Sequence, residues 1–256
     1  MGEVVALSKR LQKDSELFEV LESVFDYSTV MSIYRLMNRG VISKLYGAVA
    51  SGKEAKVYWG KGPGGEDLAV KIFYVQTASF RGGRLKYILG DPRFEGLKGD
   101  FRKLVYAWCQ KEYRNLARAL EAGVRVPRPY AVERNVLVME FIGKDGVPAP
   151  LIKDKVPEDP VRAFSEVKEY LKRLYLYAKL VHADLSEYNI LVDEGDRLVI
   201  IDLGSAVLSS HPQAVEFLRS DVRNIYRFFS GLGVETGDPE DFLRELLSRQ
   251  LSGTSS

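Results

Sequence analysis

Apolar residues first recur along the chain with a helical period. Residues 15–26 place Leu17, Val20, Leu21, Val24 and Phe25 on one face, and residues 28–39 repeat the pattern with Val30, Ile33, Tyr34 and Met37, with Ser28 as the expected N-cap and Gly40 as the stop. The pattern then changes to strands. Ile42 to Val49 and Lys56 to Gly60 flank the small-residue loop Ala50 to Ala55, and Leu68 to Phe73 follows the turn Gly62-Pro63-Gly64-Gly65. A helix is predicted from Phe101 to Leu120, with Leu104, Val105, Trp108, Cys109, Leu116 and Leu120 on its apolar side. Ala131-Val132 and Asn135 to Gly143 read as a hairpin-like pair, after which Val147 to Pro150 breaks the chain. Helices are predicted again over Ser165 to Val181, over Pro212 to Phe229, and from the N-cap Asp238 and Pro239 at N1 to Arg249. Between the later helices lie two short apolar runs, Ile190 to Val192 and Leu198 to Ile201. Residues 77–100, with five glycines and five Lys or Arg residues, are too long and Gly-rich for an ordinary connector and are expected to be a mobile segment.

Strands followed by helices predict an α+β fold, and 46% hydrophobic residues in a 256-residue chain suffice for a sizeable core. Lys and Arg number 37 against 35 Asp and Glu, so bulk charge points to no particular partner, and any basic surface must be a local patch. One cysteine, Cys109, excludes an intrachain disulfide and a multi-cysteine zinc site, which fits a reducing cytoplasm. No apolar run approaches a membrane span, and no signal-peptide pattern opens the chain, so no membrane partner is expected.

The chemistry concentrates in His182-Ala183-Asp184-Leu185-Ser186-Glu187-Tyr188-Asn189 and in Asp202-Leu203-Gly204, each at the end of a short apolar run. Phosphoryl transfer needs such a set: one aspartate to take or orient the nucleophile's proton, and an Asn with a second Asp as hard oxygen ligands for Mg²⁺ on the phosphates. Turn caps explain each of these residues singly, but not the set. Gly47-x-x-x-x-Gly52-Lys53 imitates a Walker A motif, yet Glu54 stands where a Ser or Thr is required and a strand-like run follows where a helix should begin. The small residues still let backbone N–H groups approach phosphates, as a hairpin covering a nucleotide would. Lys71 is the lone cation of an apolar strand and needs anionic partners; the other reading is a lysine on the solvent face of an edge strand. Glu112, in the central turns of its helix, is preferred to Glu121 near the end as the carboxylate partner, against the alternative of a surface charge. Glu140 and Ile142, with Met139 behind them, sit where a strand leaving one lobe offers backbone groups to an adenine edge. Periodicity does not distinguish that from a plain core strand.

With these residues in view the chain resembles the RIO family of atypical protein kinases, and within it the type-one branch. The sharpest carriers are Ser51-Gly52-Lys53-Glu54-Ala55, Lys111-Glu112-Tyr113-Arg114-Asn115-Leu116, Met139-Glu140-Phe141-Ile142-Gly143 with Pro148-Ala149-Pro150, and the stretch His182 to Asn189. The resemblance implies a two-lobed kinase-like fold with a reduced C-terminal lobe and an N-terminal pair of helices: an extension over 1–44, an N-lobe over 45–143, a C-lobe over 144–250 and a tail over 251–256. It implies ATP held by Ser51, Gly52, Lys53, Glu54, Val57, Lys71, Glu112, Met139, Glu140, Ile142, Asn189 and Asp202. Asp184 would be the catalytic aspartate, Asn189 and Asp202 would bind Mg²⁺, with Mn²⁺ as an acceptable substitute, and Asp221 would brace the catalytic loop. Asp202 would also be the acceptor of an aspartyl-phosphate in an ATPase cycle. The family's setting implies a cytoplasmic protein acting on the pre-ribosomal small subunit, its RNA or its proteins, with serine autophosphorylation. No A-P-E sequence follows Asp202 and little chain follows it for a peptide-docking subdomain, which favours a nucleotide-driven checkpoint over ordinary peptide phosphorylation. A nucleotide-sensing RNA-binding or ribosome-binding module with little turnover and a small-molecule kinase are the rival readings, the latter disfavoured by the Ser51 to Ala55 loop.

Overall fold

The computed structural model describes residues 25–75, 79–97 and 100–252. They divide into two compact units that alternate along the sequence: one from residues up to Gly83, Arg93–Tyr113 and Arg128–Pro148, the other from Arg84–Pro92, Arg114–Pro127 and the chain from Ala149 onward.

The first unit is built on a five-stranded antiparallel sheet in the order β1-β2-β3-β5-β4, from β1 (Lys44–Ser51), β2 (Ala55–Lys61), β3 (Asp67–Phe73), β4 (Pro129–Glu133) and β5 (Val136–Glu140). Strand alternation divides its side chains between two faces. Leu68, Val70 and Ile72 of β3 share a buried cluster with Val136 and Val138 of β5 and with Val30, Ile33 and Leu36 of helix α1 (Tyr27–Asn38). Each such aliphatic side chain contributes about 1.5–3 kcal/mol when fully buried. Asn135, fully buried before β5, ties the same layer together through Nδ2, which donates to Thr29 Oγ1 at 2.8 Å and to the carbonyl of Phe73 at 2.9 Å.

The cap of α1 differs from the sequence expectation. Asp26, not Ser28, is the N-cap; its carboxylate accepts the N–H groups of Ser28 and Thr29 at 3.0 and 3.3 Å and both their hydroxyls. A carboxylate with two acceptor oxygens satisfies more of the first turn's orphan donors than one hydroxyl can, and the helix therefore starts at Tyr27. The helix predicted over 15–26 lies outside the described residues except for Phe25 and Asp26.

Residues 77–100, expected as a mobile connector, contain helix α2 (Ser79–Ile88) and a 3₁₀ turn, Pro92–Phe94. Arg84, Tyr87, Asp91 and Phe94 are buried, and these anchors, spaced among glycines and cations, gave no periodic signal. Helix α3 (Phe101–Glu121) follows and contributes to both units.

The small hairpin β6 (Gly143–Lys144) and β7 (Val147–Pro148) belongs to the first unit, and the second unit is mostly helical. Helix α4 (Pro160–Leu176) begins earlier and ends sooner than the predicted Ser165 to Val181, because Asp159 caps it with Pro160 at N1 and Lys179, at φ +55°, turns the chain away. Leu180–Val181 is instead β8, paired antiparallel with β11 (Val207–Leu208). Between them the hairpin β9 (Ile190–Val192) and β10 (Leu198–Ile200) has the bounds its apolar runs suggested, short of Ile201. Helix α5 (Ala214–Gly231) buries Leu218, Val222, Ile225 and Phe229, and Phe164 of α4 packs against Tyr226 and Phe229 at ring separations of 5.0 and 5.3 Å. Helix α6 (Pro239–Ser252) closes the unit, with the Asp238 carboxylate accepting the N–H of Glu240 at 2.9 Å. Among the described residues no helix is long and apolar enough to cross a membrane.

Candidate active site

In the first unit, Lys71 lies on the third of the five strands in spatial order, which removes the edge-strand reading. Register fixes its company: Val57 and Leu137 are its direct partners on β2 and β5, and Met139 is opposite Ala69, so Val57, Lys71 and Met139 share the face away from α1. The Lys71 Nζ donates to both oxygens of Glu112, at 2.7 and 2.9 Å, and the Glu112 side chain is 1% exposed. Glu112 is thus the partner, while Glu121 is exposed at the helix end. Removing either member would break a buried ion pair, at a cost of about 3–5 kcal/mol. One turn earlier on α3, burial first and the Glu112 charge second push the Cys109 thiol well above its ordinary range, so it is an inert core group.

Ser51, Gly52 and Lys53 are exposed in the β1–β2 turn, which the Gly52 N–H closes onto the carbonyl of Ala55 at 2.9 Å. A strand, not a helix, follows Lys53, so the Walker A likeness has no structural counterpart. At the end of β5, the Glu140 N–H donates to the carbonyl of Arg128 at 2.8 Å, and its carboxylate accepts the Arg128 N–H at 3.1 Å. Ile142 is buried two residues on.

In the second unit, Asp221 of α5 is fully buried and its two oxygens accept the N–H groups of Ala183 and Leu185, each at 2.8 Å. That pair of bonds holds the loop on either side of Asp184, with Ala183 in the left-handed region at φ +68°. Burial pushes the Asp221 carboxyl up to about 8 against the pull of those two donors. Asn224, one turn along α5, donates to the Leu185 carbonyl at 3.1 Å, and the Tyr87 hydroxyl reaches the Ala183 carbonyl at 3.4 Å. Asp184 itself faces solvent. The protein around its carboxyl, and the nearby Asp202 charge, hold it above the ordinary carboxylate range.

Asn189 donates through Nδ2 to the carbonyl of Asp184 at 2.6 Å, a bond that does not use its amide oxygen. The Ile201 N–H donates to the Asn189 carbonyl at 3.0 Å, bringing Asn189 beside Asp202. His182 Nε2 meets the Ile201 carbonyl at 3.0 Å; burial depresses its pKa, so a neutral ring donates from Nε2. Asp202, also solvent-facing, is at φ +61°, in the left-handed region that costs a non-glycine residue energy and recurs at functional sites.

The second unit therefore brings Asp184, Asn189 and Asp202 together, and the first brings Lys71 and Glu112 together with Val57 and Met139 on the same sheet face. The sequence reading assigned no role to His182, Asn115, Asn224 or Tyr87. Tyr87 left no signal; His182 opens the stretch His182 to Asn189, and each asparagine lies three residues after a buried acid on the same helix, Glu112 or Asp221.

A bidentate lysine–glutamate pair on an antiparallel sheet, and a helical unit whose Asp–Asn loop is braced by a buried aspartate and followed by an Asp-x-Gly turn, define a protein-kinase-like fold. Solved structures agree: the chain superposes on the Rio2 kinase–ADP/Mg²⁺–phosphoaspartate complex from Chaetomium thermophilum with a TM-score of 0.66 at 20% identity, over 96% of this chain and 71% of that one. For a second Rio2 kinase structure from the same organism the TM-score is 0.65 at 21% identity, covering 90% and 76%. The family model of the RIO domain matches residues 56–242, and the chain belongs to the RIO family, in its type-one branch. It is 47% identical to the RIO-type serine/threonine-protein kinase Rio1 of Haloferax volcanii, over 87% of this chain and 76% of that protein. Identity is 39% to the Rio1 kinase of Methanocaldococcus jannaschii over 94% and 86%, and 40% to the human serine/threonine-protein kinase RIO1 over 86% and 41%. The chain thus spans most of its archaeal relatives and under half of the human one.

Proposed function

We propose that the chain is an ATP-dependent, atypical serine/threonine kinase. The observation that carries this is the second-unit loop, where Asn189 is pinned through its amide nitrogen to Asp184 and linked through Ile201 to Asp202, while both carboxylates face solvent.

The donor set fits Mg²⁺. Asp202 and the Asn189 amide oxygen are hard oxygen ligands, and among the described residues no group of three His, Cys, Asp or Glu side chains forms a cage. Mg²⁺ suits such an incomplete set because it keeps waters and takes phosphate oxygens as its remaining ligands. Mn²⁺ accepts the same donors. When bound, the cation neutralises charge on the β- and γ-phosphates. Lys71, oriented by Glu112, is assigned to the ATP phosphates; Val57 and Met139 to the base-side surface; Ser51 to Glu54 to the cover over the phosphates; Glu140 and Ile142 to the adenine edge. Asp184 takes the proton of a Ser or Thr hydroxyl as its oxygen bonds to the γ-phosphorus, while the bond from that phosphorus to the β–γ bridging oxygen breaks and ADP leaves.

A second course at the same site has the Asp202 carboxylate attack the γ-phosphorus, releasing ADP and leaving an acyl phosphate that water cleaves to orthophosphate. The phosphoaspartate in the Rio2 complex supports this course. Kinship with the type-one branch supports action in the cytoplasm on the pre-ribosomal small subunit, in its late maturation.

The test is phosphate release and autophosphorylation by Asp184→Ala and Asp202→Ala. Loss of the general base is expected to slow turnover about 10²–10⁴-fold while nucleotide affinity survives in Asp184→Ala. Asp202→Ala is expected to lose turnover together with the Mg²⁺ dependence of binding. Unchanged turnover in either variant removes that residue from its role.

A further inference from the structure

Asn115 is fully buried on α3, and both hydrogens of its Nδ2 are engaged by one short stretch of backbone: it donates to the carbonyl of Leu203 at 2.9 Å and to that of Ala206 at 3.0 Å. The two acceptors lie just past Asp202, and the Ala206 N–H closes the same turn onto Leu203 at 3.2 Å. Upstream, Ile201 is fixed through its N–H to Asn189 and through its carbonyl to His182. Asp202 is the residue between these two sets of bonds, and its φ of +61° is a conformation that persists in a non-glycine residue only when its surroundings over-determine it. The bonds on the upstream side come from the catalytic loop. The downstream side is held by a helix 88 positions earlier in the sequence.

We propose that Asn115 is a positioning residue for cation binding: by clamping Leu203 and Ala206 it fixes the backbone from which Asp202 presents its carboxylate, and so sets the Mg²⁺ affinity of the nucleotide complex. This rests on Asp202 being a cation ligand. An amide is the side chain the place requires, because it supplies two N–H donors in one plane with no charge to bury. A leucine keeps the branching of the side chain, though bulkier, and takes away one hydrogen bond from each of the two carbonyls.

The experiment is a binding titration of a fluorescent N-methylanthraniloyl-ADP against the whole chain, in EDTA and over a range of Mg²⁺ concentrations. Asn115→Leu is the main variant, Asn115→Ser, which keeps one donor, the graded one, and Asp202→Ala the control. Expected for Asn115→Leu is a rise of roughly 10–100-fold in the Mg²⁺ concentration that half-saturates the effect, as for other residues that orient a metal's ligands, with affinity in EDTA unchanged. Asn115→Ser should fall between Leu and the parent. A purely structural asparagine would lower the melting temperature and leave the Mg²⁺ requirement where it was; that outcome, in either folded variant, overturns the proposal. If Asp202→Ala also leaves the requirement unchanged, the assignment of Asp202 itself fails; if only the Asn115 variants do, the positioning role fails alone. Should neither variant fold, the unmutated chain labelled with ¹⁵N-asparagine decides. The Asn115 side-chain resonance should move when Mg²⁺ is added to the ADP complex, and a resonance that stays in place overturns the proposal.

Discussion

Asp221 and His182 both hold the loop around Asp184 from within the core, and they titrate against stability in opposite directions. Burial raises the Asp221 carboxyl from 3.8 in the unfolded chain to about 8, so the folded chain binds this proton more tightly. Its contribution is complete below pH 3.8 and is lost as pH rises towards 8. His182 is depressed below 6.5, so its contribution is complete above pH 6.5 and is lost as pH falls through its folded-state value. Melting temperatures measured across this range should show Asp221→Asn flattening the decline on the alkaline side and His182→Gln flattening it on the acid side. Asp221→Asn also turns an NH₂ group towards a backbone N–H, and is expected to lose about 1–3 kcal/mol of stability near pH 8. A parallel curve for either variant, merely shifted, would mean that the group does not titrate in that window.

At the scale of elements, the turn after α2 depends on one glycine. Gly90 has φ +88°, and a Cβ built there would lie 2.9 Å from Cδ of Pro212, with His211 beyond it. Left-handed backbone and close approach together make Gly90→Ala cost about 1–3 kcal/mol of local stability. Tyr87, three residues earlier, packs on Phe217 at 5.4 Å and reaches Ala183 beside Asp184, so the change should loosen this contact as well. Limited proteolysis is the measure: cleavage within 79–97 should quicken in Gly90→Ala while sites in α4 to α6 stay protected. Equal rates in variant and parent would show that the turn tolerates a side chain.

For the whole molecule, the connectivity of the two units sets what can fold alone. The chain passes from one to the other between Gly83 and Arg84, Pro92 and Arg93, Tyr113 and Arg114, Pro127 and Arg128, and Pro148 and Ala149. A fragment starting at Ala149 lacks Arg114–Pro127, and with it the Asn115 bonds to Leu203 and Ala206 and the Arg125 carbonyl that accepts the Ile200 N–H at 2.9 Å. Expressed by itself it should keep helical circular dichroism but lack the dispersed amide spectrum of a packed domain. A well-dispersed spectrum would show these contacts to be dispensable.

Sequence by itself determined what depends on near neighbours: the strand and helix periods, the short apolar runs Ile190 to Val192 and Leu198 to Ile201, the lone cation on β3, and the Asp–Asn spacing with its Asp-x-Gly sequel. These are legible because a period of two or 3.6 residues is imposed within one element, whatever the element packs against. Tertiary structure decided which groups meet. It chose Glu112 over Glu121 for Lys71, Asp26 over Ser28 for the cap of α1, and a helix with a 3₁₀ turn within residues 79–97, and it joined Asn115 to a turn far along the chain. Each of those outcomes is a contact between distant segments, whose free energy comes from burial and paired polar groups that exist only once the chain has folded.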